Sequence, residues 1–282
     1  MVRKSLLVTG LVFAIYAVFI GRIRPHWSVS QHQWQDNQIK AEKYLYDPQS
    51  THSVLVGSSL AARLDSLPDV YNLAFGGQSL FDGLALVTRQ AHPPRTVYIE
   101  MNVVNRVEDV NFTQALTNPV LGRAKQSVLA LRADKQPLAV LGEHLQMYLQ
   151  GLRMRFASPA AAAAPAGSVN PLFDTMLKNQ VHDYAQLPAP ELMQSQFSKL
   201  RTAVAALEQR GVRVVFFEMP MDAHLCDAPK SVAIQAAFRR NFPASRFGYL
   251  PRPKCSDYQT TDGVHLNKES ADRYTAVLSK QL

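Results

Sequence analysis

The chain has 282 residues, of which 47% are hydrophobic and 18% charged, so it carries ample material for a core; that excludes a mostly disordered polymer. Lys and Arg number 30 against 22 Asp and Glu, a net charge of +8 that permits anionic partners. No Lys/Arg run of the nucleic-acid type appears, and two cysteines are too few for a disulfide scaffold and lack zinc-finger spacing.

The first segment, Ser5 to Gly21, is free of charge over 17 residues and is bracketed by Arg3 and Lys4 before it and Arg22 and Arg24 after it. That length lies at the lower limit for crossing a bilayer. A cleaved signal peptide is the competing reading, but no small-x-small site follows the apolar run. The expectation is a single-pass anchor over 1–25, with the amino terminus cytoplasmic and the body on the far side of the inner membrane. Residues 26–50 read as a juxtamembrane segment, helical from about Gln38 to Tyr46.

The body, 51–282, reads as one α/β domain. Apolar runs at 53–56, 70–73, 96–100 and 212–217 have the short, β-branched and aromatic character of buried strands. Helical spacing appears at Leu80, Leu84 and Val87, and again at Phe197, Leu200, Val204 and Leu207 with Gly211 as its C-cap. A final helix is expected from about Lys268 to Lys280, capped by Asn267. Strands alternating with helices imply a parallel sheet covered on both sides. Residues 106–195 break the alternation and read as an insertion. It is helical over much of 128–156, with a break before Pro137, and low in complexity over 157–168.

Two local patterns carry chemistry. Val54-Leu55-Val56-Gly57-Ser58-Ser59-Leu60 is a strand, a tight turn and the start of a helix, which puts a hydroxyl at the C-terminal edge of a parallel sheet, where ligands bind in open α/β folds. A plain serine N-cap is the alternative. Asp262-Gly263-Val264-His265 places a carboxylate three residues ahead of an imidazole, where it can fix the tautomer of a general base. A surface Asp-Gly turn is the alternative there. The other histidines show no metal-ligand spacing, and no phosphate-binding glycine loop is present.

Together these two patterns resemble the SGNH/GDSL hydrolase family. Gly57-Ser58-Ser59-Leu60 is similar to its Gly-Asp-Ser-Leu block, and Asp262-Gly263-Val264-His265 to its Asp-x-x-His block. The resemblance implies Ser59 as nucleophile, His265 as base and Asp262 as the acid that orients it. Asn72 to Ser79 resembles the second block, with Gly77, or else Gly76, giving an N–H to the oxyanion hole. The third-block asparagine falls on Asn102, with Asn105 as the alternative, and the Ser59 N–H completes the hole. Ser58 stands where the family has Asp, and the strand end Glu100-Met101-Asn102 lacks the third block's Gly and Asp. The resemblance covers about 50–105 and 196–282. It implies a three-layer α/β/α fold and ester chemistry through an acyl-enzyme, without cofactor or metal.

Family members with an anchor and a Gly-Ser-Ser block look like envelope polysaccharide O-acetyl esterases and O-acetyltransferases. The resemblance thus implies an acylated glycan or acyl donor as substrate and a polysaccharide-synthesis partner in the membrane. A sugar hydroxyl is preferred to water as acceptor, with Arg132, Lys135, Arg153 and Arg155 lining an approach for an anionic chain; a solvated helix face is the other reading of those charges. A catalytically degenerate glycan-binding or scaffold protein is the alternative function. Cys226 and Cys255, both after the last strand in loops flanking the site, are expected to form a disulfide in an oxidising compartment, against the alternative of two free thiols.

Overall fold

The computed structural model describes residues 2–24, 32–47, 52–64, 67–137, 139–140 and 172–282. The low-complexity stretch 157–168, together with Arg153 and Arg155, lies outside the described residues. The chain divides into two compact units, one of Met1–Asp47 with Gln114–Ser168 and one of Pro48–Thr113 with Val169–Leu282. The segment read as an insertion over 106–195 is therefore shared: its ends, 106–113 and 169–195, belong to the α/β unit.

The smaller unit holds α1 (Val2–Ile23), α2 (Gln33–Tyr46) and α5 (Pro119–Ser127). With a mean hydropathy of 2.2, α1 is long and apolar enough to cross a membrane. The second helix starts five residues earlier than expected, because His32 Nδ1 accepts the Gln35 N–H at 3.1 Å and caps it. Glu42 on α2 is 1% exposed and is satisfied by Lys125 Nζ at 2.6 Å and the Ala133 N–H at 2.7 Å. Between Val128 and Pro137 the expected helix is replaced by two 3-10 turns, Leu129–Leu131 and Ala133–Lys135, and the remainder of that expected helix, 141–156, lies outside the described residues. Gln136 is extended, ψ 144°, as a residue before proline must be, so the break before Pro137 is where the sequence placed it.

The larger unit is built on five parallel strands: β1 (Ser53–Val56), β2 (Val70–Asn72), β3 (Thr96–Glu100), β4 (Arg213–Phe217) and β5 (Gly248–Tyr249), in the order β2-β1-β3-β4-β5. Its helices are α3 (Leu80–Arg89), α4 (Val110–Thr117, which runs across the division), α6 (Phe173–Tyr184), α7 (Pro190–Gln209), α8 (Ala223–Cys226), α9 (Pro229–Asn241) and α10 (Lys268–Leu278). Every strand except β2 and β5 is buried along nearly its whole length, as a parallel sheet covered by helices requires.

Register sets the two faces. Leu55, Tyr98 and Val215 stand side by side and join a core with Ala271, Tyr274 and Leu278 of α10. Val56, Ile99 and Phe216 form the opposite row, where Phe216 meets Phe238 of α9 and Phe242 just after it at ring distances of 5.3 and 4.8 Å. Phe197 of α7 closes the same aromatic cluster, 5.0 Å from Phe238. Helices thus lie on both faces.

Cys226, at the end of α8, and Cys255 form a disulfide across 29 residues of sequence. It encloses α9 and β5. A loop of that length corresponds to roughly 3–4 kcal/mol of stabilisation in the chain-entropy description. The double variant Cys226→Ser/Cys255→Ser is expected to lose about that amount in urea unfolding, and thiol labelling of the denatured, unreduced wild type should find no free thiol.

Candidate active site

Strand order places the site. The chain leaves β1 toward β2 on one side, then crosses to β3 on the other, so the connections diverge between β1 and β3. Ligands in open α/β sheets bind outside the carboxyl ends of the strands at such a switch point. Gly57, Ser58 and Ser59 follow β1 there, and Glu100 ends β3 beside them.

The turn after β1 is held from below by the Glu100 carboxylate. Its Oε2 accepts the Ser58 N–H at 2.8 Å and the Ala61 N–H at 3.3 Å, and the Ser58 hydroxyl lies 2.9 Å from Oε1. Both residues are fully buried, at 0% exposure for Ser58 and 1% for Glu100. Burial pushes the Glu100 carboxyl above its ordinary range; the hydrogen bonds from Ser58 and Ala61 and the charge of Arg106 work against that rise. Gly57 has no alternative: a Cβ there would stand 2.5 Å from Glu100 Oε2 and 2.9 Å from the Ala61 Cβ.

The turn continues into a single 3-10 turn, Ala61–Arg63, rather than the expected helix. Ser58, not Ser59, spends its hydroxyl on the backbone, accepting the Leu60 N–H at 3.2 Å. The cap-like role in the turn thus falls to Ser58, and the half-buried Ser59 hydroxyl is left for another partner. Asn72 anchors the turn's far end, donating to Ala61 O at 2.9 Å and Leu64 O at 3.2 Å.

That partner is His265. Its Nε2 stands 2.9 Å from Ser59 Oγ, across 206 residues of sequence, and its Nδ1 stands 2.6 Å from Asp262 Oδ2. The second Asp262 oxygen accepts the N–H groups of His265 at 2.8 Å and Val264 at 3.1 Å, so the acid is oriented by its own loop. Burial raises the Asp262 carboxyl, but the bonds and charge of His265 outweigh it, and its pKa lies below the ordinary value. Gly263 permits this fold-back with φ at +95°, a conformation other residues rarely adopt. Arg63 ties the serine turn to the histidine loop through Leu266 O at 3.0 Å and Thr261 Oγ1 at 3.3 Å.

A cleft of about 250 Å³ opens over this relay, walled by Ser59, Asn105, Arg106, Gln180, Tyr184 and Lys230 among others. Among the described residues, Asn105 Oδ1 is buried without a hydrogen-bond partner. Asn102 does not enter the cleft. Its amide is consumed by the Met219 backbone, donating to Met219 O at 2.9 Å and accepting the Met219 N–H at 2.7 Å. Gly77 has φ +73°, is exposed and does not line the cleft. The asparagine three residues further along, weighed in the sequence as the alternative, is the one on the wall.

Several wall residues carried no signal in the sequence pattern. Gln180 and Tyr184 come from α6, inside the stretch read as an insertion. Lys230 of α9 bonds Asp183 at 2.7 Å and lies 4.7 Å over the Tyr184 ring, fixing α6 to α9. Glu100 was legible only as a charged residue closing an otherwise apolar strand. Among the described residues, no cluster of His, Cys, Asp and Glu is placed to hold a metal ion.

Removing the Glu100 carboxylate strands three buried donors. Glu100→Ala is expected to cost about 3–5 kcal/mol, the penalty for uncompensated buried polar groups. Glu100→Gln keeps an acceptor and should cost markedly less; urea unfolding of the two variants checks the order. In comparisons with known proteins, the chain matches no family model and no curated protein.

Proposed function

We propose that the larger unit is a serine-dependent acyl-transfer enzyme of SGNH type, with a three-layer α/β/α fold, acting on an ester through an acyl-enzyme at Ser59. The observation that carries this reading is the continuous relay Ser59–His265–Asp262, at 2.9 and 2.6 Å, on the rim of a cleft. Such a relay suits nucleophilic catalysis at the serine. His265 takes the proton from Ser59 as its oxygen attacks the ester carbonyl and returns it to the leaving alcohol, while Asp262 holds the tautomer and stabilises the imidazolium.

The tetrahedral oxyanion needs donors. The Ser59 N–H makes no hydrogen bond within the described residues, and the Asn105 amide stands on the same wall. We assign these two to the oxyanion hole. A second half-reaction returns the acyl group to water or to a sugar hydroxyl. The substrate class is an O-acetylated envelope polysaccharide or its acetyl donor. The apolar α1 and the disulfide support a body held at the outer face of the inner membrane, since disulfides persist in oxidising compartments. A polysaccharide-synthesis protein in the same membrane is the partner this placement suits.

Ser59→Ala and His265→Ala are each expected to remove nearly all turnover of a chromogenic acetyl ester, with the double variant little worse, because relay members act as a unit. Asp262→Asn should lower kcat by about 10⁴-fold through the wrong tautomer. Asn105→Ala should lower kcat by about 10²–10³-fold with KM little changed, whereas Asn102→Ala should act through stability. Intact-mass measurement after exposure to the ester should find one acetyl group on Ser59 in the Asp262→Asn protein. An unacylated Ser59 with no turnover in the wild type would leave the glycan-binding alternative.

A further inference from the structure

We propose that the cleft over Ser59 takes an acidic glycan, a chain of uronate type, and that the Arg106 guanidinium binds a sugar carboxylate close to the ester. The proposal deepens the acyl-transfer reading and rests on it for the ester.

The argument is one of unspent donors. Arg106 follows the turn after β3, at the carboxyl edge of the sheet, and walls the same cleft as Ser59 and His265. Its main chain is fixed. The N–H donates to Val103 O at 3.0 Å, and the carbonyl accepts from Nε2 of buried Gln196, on α7, at 2.7 Å. Further along the same loop, the Asp109 N–H donates at 2.9 Å to Asp82 of α3, which is fully buried. The side chain is not tied in this way. Of its guanidinium donors one is spent, on Gln78 O at a long 3.4 Å, and the others are uncommitted among the described residues. Its charge reaches Glu100. That carboxylate does not occupy it, because its oxygens already accept Ser58 and Ala61 beneath the turn. A planar guanidinium with free N–H groups on an immobile backbone suits a carboxylate, which it can meet through two parallel bonds.

The neighbouring cation behaves differently. Lys230 also walls the cleft, but it is paired with Asp183 at 2.7 Å and covered by the Tyr184 ring. The arginine is therefore the cation of that wall left for a ligand. Gln180 of α6 stands on the same cleft, and its amide makes no hydrogen bond among the described residues. It suits a sugar hydroxyl, as Arg106 suits the charge. At about 250 Å³ the cleft takes a short stretch of glycan, so carboxylate and ester must lie close together on it.

The test uses the full chain in uncharged detergent. Its probes are trisaccharides of galacturonate, glucuronate and mannuronate, each paired with its methyl ester, which keeps the sugar and removes the charge. Binding is read by calorimetry, which needs no turnover. The proposal expects at least one acid to bind about 10–100-fold more tightly than its own methyl ester, with the advantage shrinking as salt rises. Arg106→Gln should level the two by weakening the acid alone. Arg106→Lys should restore part of the gap, as a point charge without the planar fork. The ratio is internal to each variant, so a lower folded fraction does not imitate the effect. Equal binding of acid and ester in the wild type, no binding within any pair, or a preference that survives Arg106→Gln would each overturn the proposal. Acetyl-ester turnover at Ser59 without any carboxylate preference would overturn it alone and leave the acyl-transfer reading standing. A preference set by Arg106 in a protein that neither acylates Ser59 nor turns over an acetyl ester would uphold the carboxylate site and overturn the acyl-transfer reading.

Discussion

The site hangs on one buried carboxylate. Parallel pairing of β1 and β3 sets Val56 beside Ile99, so that Glu100, the next residue of β3, meets Ser58, two residues beyond Val56. The carboxylate gathers two N–H groups and a hydroxyl that would otherwise be stranded in the core, and in doing so dictates the path of the chain from Gly57 to Ala61. Gly57 follows from it, since no Cβ fits beside Oε2. So does the placement of Ser59, the one residue of the turn whose side chain is not consumed from below. Asn72 and Arg63 extend the same frame outward, the first to β2, the second to the loop that brings His265.

Much of this could be read from residue order because the signals are local. Four strands announce themselves as apolar runs, and the Asp-x-x-His loop needs only three residues and a glycine with positive φ to close on itself. Other features depend on partners distant in sequence. β5 is two residues long, Gly248-Tyr249, with no apolar run, and exists because Phe216 and Val215 offer an edge to pair with. Whether Asn102 or Asn105 faces the cleft turns on the Met219 backbone, 117 residues away, which claims the first amide and leaves the second. Nothing in the spacing of Asn102 and Asn105 distinguishes them.

Charge was the least legible quantity. A basic stretch such as Arg132 to Lys135 invites a reading as a docking surface for an anion, but its cations are already matched by Asp47 and Asp134, one of them from a helix end far back in the chain. Lys230 is likewise engaged, by Asp183 and the face of Tyr184. At Arg132, Lys135 and Lys230 the positive charge is therefore paired. Ion pairs of this kind contribute modestly at a surface and more where solvent is excluded. Their first effect here is geometric, fixing α6 to α9 at the cleft and α2 to the turns after α5.

The wide separation of the two reacting side chains has a consequence for how the protein is made. Ser59 and His265 meet across 206 residues of sequence. Chains are synthesised at about 5–20 residues per second, so the serine turn exists for some 10–40 s before His265 has been added. During that interval the hydroxyl is an ordinary alcohol. The Ser59–His265–Asp262 relay closes only with the last helix, when α10 docks on the sheet and carries the histidine loop with it.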